Sequence, residues 1–158
     1  MLPVSIFSYL FLILLMAGCS TSKPVYVRPV ESSADSIIVS GNSDRRTAGK
    51  IRSVFFASNM HSLNSRAKKV LKQNADFLKK HPSLVLSIEG HCDQRGSKTY
   101  NSLLGARRAK AVMDFLIKLG VSTDRLKTFS WGNEKPLKKG TDKHSRAWNR
   151  RVSFVIVD

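Results

Sequence analysis

The sequence predicts an α/β fold. It is a two-layer α/β (α+β) sandwich in which two long helices cover one face of a small mixed sheet, in the order βαβαββ. Two observations predict this. Two stretches, 63–80 and 100–119, carry apolar residues at helical spacing. Four shorter stretches rich in β-branched and aromatic residues, 51–57, 84–90, 125–131 and 150–157, stand before, between and after them.

Each element has its own signal. "IRSVFFA" reads as the first strand and ends at the polar pair Ser58-Asn59. In the first helix Ala67, Val70, Leu71, Ala75, Phe77 and Leu78 share one side, while Lys68, Lys69, Lys72 and Lys79 face water; His81-Pro82 closes it. "LVLSIEG" is the second strand, and a polar turn at 91–99 follows, with Ser97 and Thr99 as candidate helix caps. The second helix turns Leu104, Ala109, Val112, Phe115, Leu116 and Leu119 inward and stops at Gly120. "RLKTFSW" is the third strand. Residues 132–146 read as loop with one helical turn, and "RRVSFVIV" alternates as a closing strand through Val152, Phe154 and Ile156.

With 158 residues, of which 42% are hydrophobic, the chain can form one domain with a core and a tail. Its net charge of +16 favours anionic partners. The excess lies in the folded part and is scattered. No continuous basic run marks a nucleic-acid arm, and no nucleic-acid partner is expected.

The N-terminus reads as an address. Residues 1–18 are almost wholly apolar and uncharged, too short for a membrane span and suited to an export signal. Met16-Ala17-Gly18-Cys19 resembles a bacterial lipobox. That resemblance implies cleavage before Cys19, lipid attachment on it, and, with Ser20 following, sorting to the outer membrane. Several acyl chains together anchor a protein stably where one does not. Residues 19–50 then form a flexible tether rich in Ser, Pro, Asn and Arg, and the domain occupies 51–158. Cys19 and Cys92 are the only cysteines; with Cys19 lipidated no internal disulfide forms, and Cys92 is expected as a buried small side chain.

No catalytic constellation is legible. Glu89 and Asp93 are the one acid pair close enough to approach, and there is no phosphate loop and no metal-ligand spacing, so neither an enzyme nor a cofactor or metal is expected. Binding chemistry is more apparent. Gly90 and Gly96 bracket the turn from which Asp93 projects, and on the following helix Asn101, Leu104, Arg108 and Val112 share a face. Arg107 lies about 100° round from Arg108 and points elsewhere. Asp93 and Arg108 facing a common space make either a clamp for a zwitterion or a salt bridge that fixes the turn. Spacing alone leaves both open.

The stretch 88–121 resembles the signature of the OmpA-like peptidoglycan-binding domain family, above all its branch of peptidoglycan-associated lipoproteins (Pal). The helix pattern appears as Asn101, Leu104, Gly105, Arg108, Ala109 and Val112; "SWGNEKP" and "NRRVSFVI" match later family segments. The resemblance covers residues 51–158. It implies non-covalent binding of the diaminopimelate residue of the peptidoglycan stem peptide, with Asp93 taking the ammonium group and Arg108 the carboxylate. Asn101 and the Ser97 hydroxyl would line the site, and Arg95 and the Asn149-Arg150-Arg151 segment would flank it. Where the family usually carries an acid, this chain has Asn59, which accepts from an ammonium group without charge assistance. The resemblance further implies TolB and other Tol proteins as partners, in a Tol-Pal role at the envelope. The rival readings are a Pal-like paralogue that acts only as a wall anchor and a basic module that binds anionic polymers by charge alone.

Overall fold

The computed structural model describes residues 41–45 and 48–157. The predicted export signal, Cys19 and most of the tether lie outside them. Seven elements form the domain: β1 (Val54–Phe55), α1 (Ser65–Lys80), β2 (Val85–His91), α2 (Lys98–Lys118), β3 (Leu126–Gly132), α3 (Lys143–Asn149) and β4 (Arg151–Val157), with short 3₁₀ turns at Ser43–Arg45 and Thr123–Arg125.

The sheet order is β1-β4-β2-β3. β2 pairs with β3 in parallel, joined by α2 as the crossover, and with β4 antiparallel. The inward residues of the strands, Leu86, Ile88, Leu126, Val152 and Phe154, meet Ala67, Leu71, Ala75 and Leu78 of α1 and Ala109, Val112 and Leu116 of α2 in one core. The predicted sandwich and its two long helices are observed.

Capping sets both helix starts. The Asn64 side chain accepts from the Ala67 amide, so α1 begins at Ser65 and not at Leu63. Ser97 accepts from the Tyr100 amide and starts α2 at Lys98. Two expectations are corrected. The first strand is two residues long, not seven, because Asn74 of α1 takes both backbone groups of Arg52: its Oδ1 accepts from the Arg52 amide at 3.0 Å and its Nδ2 donates to the Arg52 carbonyl at 2.9 Å. These bonds replace a strand ladder. The loop before the last strand holds a true helix, α3, nucleated where Asp142 Oδ1 accepts from the amides of His144 and Ser145.

The folded part also reaches further back than Ile51. The Ile156 amide donates to the Gly41 carbonyl at 2.8 Å, the Phe154 amide to Ser43 Oγ at 2.8 Å, and Arg151 pairs with Asp44 at 2.8 Å. Residues that composition assigned to the tether thus cover the outer edge of β4.

Candidate functional site

The site begins with a close approach of two backbones. A Cβ on Gly90 would stand 1.9 Å from the Gly105 carbonyl oxygen, so α2 lies directly against the end of β2 because both positions are glycine. This sets Asn101 and Arg108, one turn to either side of Leu104, over the turn that follows β2.

That turn is fixed along its length. The Cys92 amide donates to the Gly132 carbonyl at 2.7 Å, the Arg95 amide to Asp93 Oδ1 at 3.1 Å, and Asn101 Nδ2 to the Arg95 carbonyl at 2.8 Å. Gly96 takes a left-handed φ of +91°, which glycine adopts without strain.

Arg108 is fully buried, at 0% exposure. Its guanidinium donates from Nε to the Met60 carbonyl at 2.9 Å, from Nη1 to the His91 carbonyl at 2.8 Å, and from Nη2 to the Ala57 carbonyl at 3.2 Å. Nη1 also meets Cys92 Sγ at 3.4 Å, and the Phe56 ring lies 5.2 Å from the guanidinium carbon. Arg108 therefore holds the loop between β1 and α1 onto the end of β2. Asn59 stands in that loop at φ +56°, a conformation asparagine tolerates better than most residues. The predicted Cys92 environment is observed: its thiol is buried and donates to the Asn101 carbonyl at 3.3 Å.

Asp93 is 6% exposed and is not paired with Arg108 in the ion pairs of the described residues. Arg95 holds it with two bonds, Nε to Oδ1 at 3.1 Å and Nη2 to Oδ2 at 2.9 Å, and Arg150 donates from Nη1 to Oδ2 at 3.2 Å. Burial pushes the carboxyl up, but the bonds from Arg95 and then Arg150 outweigh it and hold its pKa at about 2. The acid is ionised at every physiological pH. The salt bridge expected as the bland alternative is thus formed with other arginines, because the Arg108 guanidinium is occupied by carbonyls.

The structure brings Asn59, Asp93, Arg95, Asn101 and Arg108 around one recess with Cys92, Leu104 and Arg150. Its free space is about 10 Å³, the volume of roughly one water. Arg95 closes it: the same Nη2 that meets Asp93 donates to Ser58 Oγ at 2.8 Å, bridging the turn to the loop opposite.

Three predicted residues lie elsewhere. Ser97 is the cap of α2. Asn149 braces the loop before α3, accepting from the Leu137 and Lys138 amides and donating to the Lys138 carbonyl, beside a separate open recess of about 180 Å³. Arg151 is buried in its pair with Asp44. Of the flanking segment only Arg150 reaches the site, and strand alternation held that signal: Arg150 is in phase with the inward Val152 and Phe154, Arg151 is not. Glu89 and Asp93 do not meet. The Glu89 carboxylate points to the other face of the sheet, 3.9 Å from His91 Nε2. Among the described residues no group of three His, Cys, Asp or Glu side chains could hold a metal ion.

Residues 55–150 match the OmpA family. The chain belongs to that family. It is 34% identical to the peptidoglycan-associated lipoprotein of Agrobacterium fabrum, over 92% of this chain and 83% of that protein. It is 41% identical to the protein of that name from Legionella pneumophila, over 63% of this chain and 57% of that one. Among solved structures, the peptidoglycan-associated lipoprotein of Burkholderia pseudomallei aligns at 40% identity with a TM-score of 0.64, covering 66% of this chain and 89% of that one.

In this OmpA-family domain a second buried polar cluster lies on the sheet face away from the long helices. His91 Nε2 meets Ser153 Oγ at 2.9 Å. Burial, with the positive charge of Arg151 second, lowers its pKa to about 3, so the ring is neutral. Burial likewise raises the Glu89 carboxyl.

Proposed function

We propose that this chain is an outer-membrane lipoprotein that binds peptidoglycan without a covalent bond and so ties the membrane to the cell wall. The names of its relatives support peptidoglycan binding, and the lipobox-like Met16–Cys19 supports the anchor. The observation that carries the reading is an ionised carboxylate and a buried guanidinium held beside one recess, Asp93 and Arg108, with Asn59 and Asn101 between the elements that carry them. This pair complements the zwitterionic end of diaminopimelate: Asp93 accepts from the ammonium group, and the Nη2 N–H left over after the carbonyl bonds of Arg108 meets the carboxylate.

The recess is too small for that ligand as it stands. The ligand's ammonium displaces the Arg95 guanidinium from Asp93, cation for cation, and Arg95, whose side chain is 54% exposed, swings into solvent. The reading is binding and not catalysis, which the OmpA-family match and the names of the relatives support.

Co-sedimentation with purified peptidoglycan tests the reading. Wild type is recovered with the wall and Asp93→Ala is not, with circular dichroism unchanged; recovery of both equally sinks the pocket assignment. A second role, in a Tol-Pal system with TolB or other Tol proteins, is favoured by the exposed apolar side chains Met60, Tyr100 and Leu103, each next in sequence to a recess residue. Capture of TolB that falls as peptidoglycan is added tests it; capture indifferent to peptidoglycan contradicts a shared surface.

A further inference from the structure

We infer that the outward face of α1 is a docking surface for a bilayer carrying anionic phospholipid, which lays the folded part of the chain against the membrane. The inference rests on the anchoring part of the proposed function and is independent of the recess.

The inward face of α1 is occupied by Ala67, Leu71, Asn74, Ala75 and Leu78. Its outward face carries Lys68, Lys69, Lys72, Lys79 and Lys80, all exposed. At about 100° per residue, Lys68, Lys72 and Lys79 fall within about 40° of one another, and Lys69 and Lys80 lie beside them. The five ammonium groups line a stripe about 18 Å long. Gly49 lies near Phe77 and Gly120 near the Lys79 side chain.

No residue of α1 takes part in an ion pair among the described residues. Asp76 is the one acid in the helix, and none stands in the first turn, where the helix dipole favours one. Arg66 and Lys69, Lys69 and Lys72, and Lys68 and Lys72 are like charges at three- and four-residue spacing, each destabilising to an isolated helix. Within the helix, Lys79 and Lys80 gain from the dipole at its last turn and Asp76 stands four residues from Lys72 and Lys80. Lys68 and Lys69 have neither, so the stripe keeps an excess of positive charge that an external anion can meet.

The kind of anion follows from the chemistry. Lysine presents a compact, hydrated point charge on a flexible stem, suited to a diffuse charged plane more than to paired recognition of one phosphate or carboxylate, for which arginine is better shaped. A plane of anionic head groups fits the stripe, and each lysine near such a surface strengthens the attraction.

The test uses the full chain held on vesicles by its N-terminus, with a fluorophore on Gln73→Cys, on the edge of the stripe. Cys92 is buried and does not compete for the label. Vesicles of phosphatidylethanolamine, with or without phosphatidylglycerol, carry a head-group quencher. The expected result is strong quenching only with phosphatidylglycerol, lost as salt is raised. It falls about tenfold or more when Lys68, Lys69, Lys72 and Lys79 are all changed to glutamine. A control variant with Lys127, Lys138, Lys139 and Lys143 changed to glutamine has the same net charge and keeps the quenching. Quenching that survives in the α1 variant overturns the inference. So does an equal loss in both variants, which means net charge alone acts, and so does equal quenching on both kinds of vesicle.

Discussion

The Arg95 guanidinium lies across the Asp93 carboxylate, Nε on Oδ1 at 3.1 Å and Nη2 on Oδ2 at 2.9 Å, and continues to Ser58 on the opposite loop. In the proposed binding mode this intrinsic cation occupies the place of the ligand's ammonium group. Because Arg95 competes with the ligand, Arg95→Ala is expected to bind a diaminopimelate tripeptide a few-fold more tightly than wild type by calorimetry. Weaker binding would make Arg95 a ligand contact in its own right.

Arg108, proposed above to bind the ligand carboxylate, is also a structural residue. Replacing it with alanine leaves the carbonyls of Ala57, Met60 and His91 without their donor in a buried place. Arg108→Ala is expected to lose about 3 kcal/mol or more of unfolding free energy in urea titration. Arg108→Lys is expected to lose part of this, because one ammonium cannot span three carbonyls. A loss within about 0.5 kcal/mol for the alanine variant would contradict the stapling role.

Gly90→Ala puts a methyl group where the Gly105 carbonyl oxygen already lies. Backbone must move, at an expected cost of about 1–3 kcal/mol in thermal unfolding, and peptide affinity should fall with it because α2 carries Asn101 and Arg108. Unchanged affinity in a destabilised variant would uncouple the glycine contact from the site.

Acid should weaken the fold in two steps. His91 has a folded pKa of about 3, below the ordinary value of 6.5, so the unfolded chain takes a proton that the folded chain refuses. Its contribution is complete above pH 6.5 and declines from there towards pH 3 as pH falls. Asp93, at about 2 against an ordinary 3.8, adds a loss only below about pH 4. The urea midpoint of wild type should fall between pH 6.5 and 4, and His91→Gln should flatten that slope. An identical slope in the variant would place the titration elsewhere.

The two long helices and the inward face of the closing strand were legible because their apolar spacing matches a single packed layer on each side. The first strand was not. Its shortening depends on Asn74, 22 positions away, whose amide completes the hydrogen bonds of Arg52. The short helix before β4 was read as one turn because its start is set by the capping Asp142, not by a strong apolar face. At the site, helical phase correctly separated Arg108, which is buried, from Arg107, which is exposed. It could not reveal that Arg108 would be held by carbonyls 48 and 51 residues away, or that Asp93 would then turn to Arg95 and Arg150. Such partners are chosen by tertiary geometry and leave no local pattern.

The most direct measurement is calorimetric binding of two stem tripeptides, one with diaminopimelate and one with lysine in its place, to wild type and to Asp93→Asn. Wild type is expected to prefer the diaminopimelate peptide, and Asp93→Asn, still folded, to bind that peptide about 10–100-fold more weakly. Equal affinity of wild type and Asp93→Asn for the diaminopimelate peptide would contradict the proposed role of Asp93.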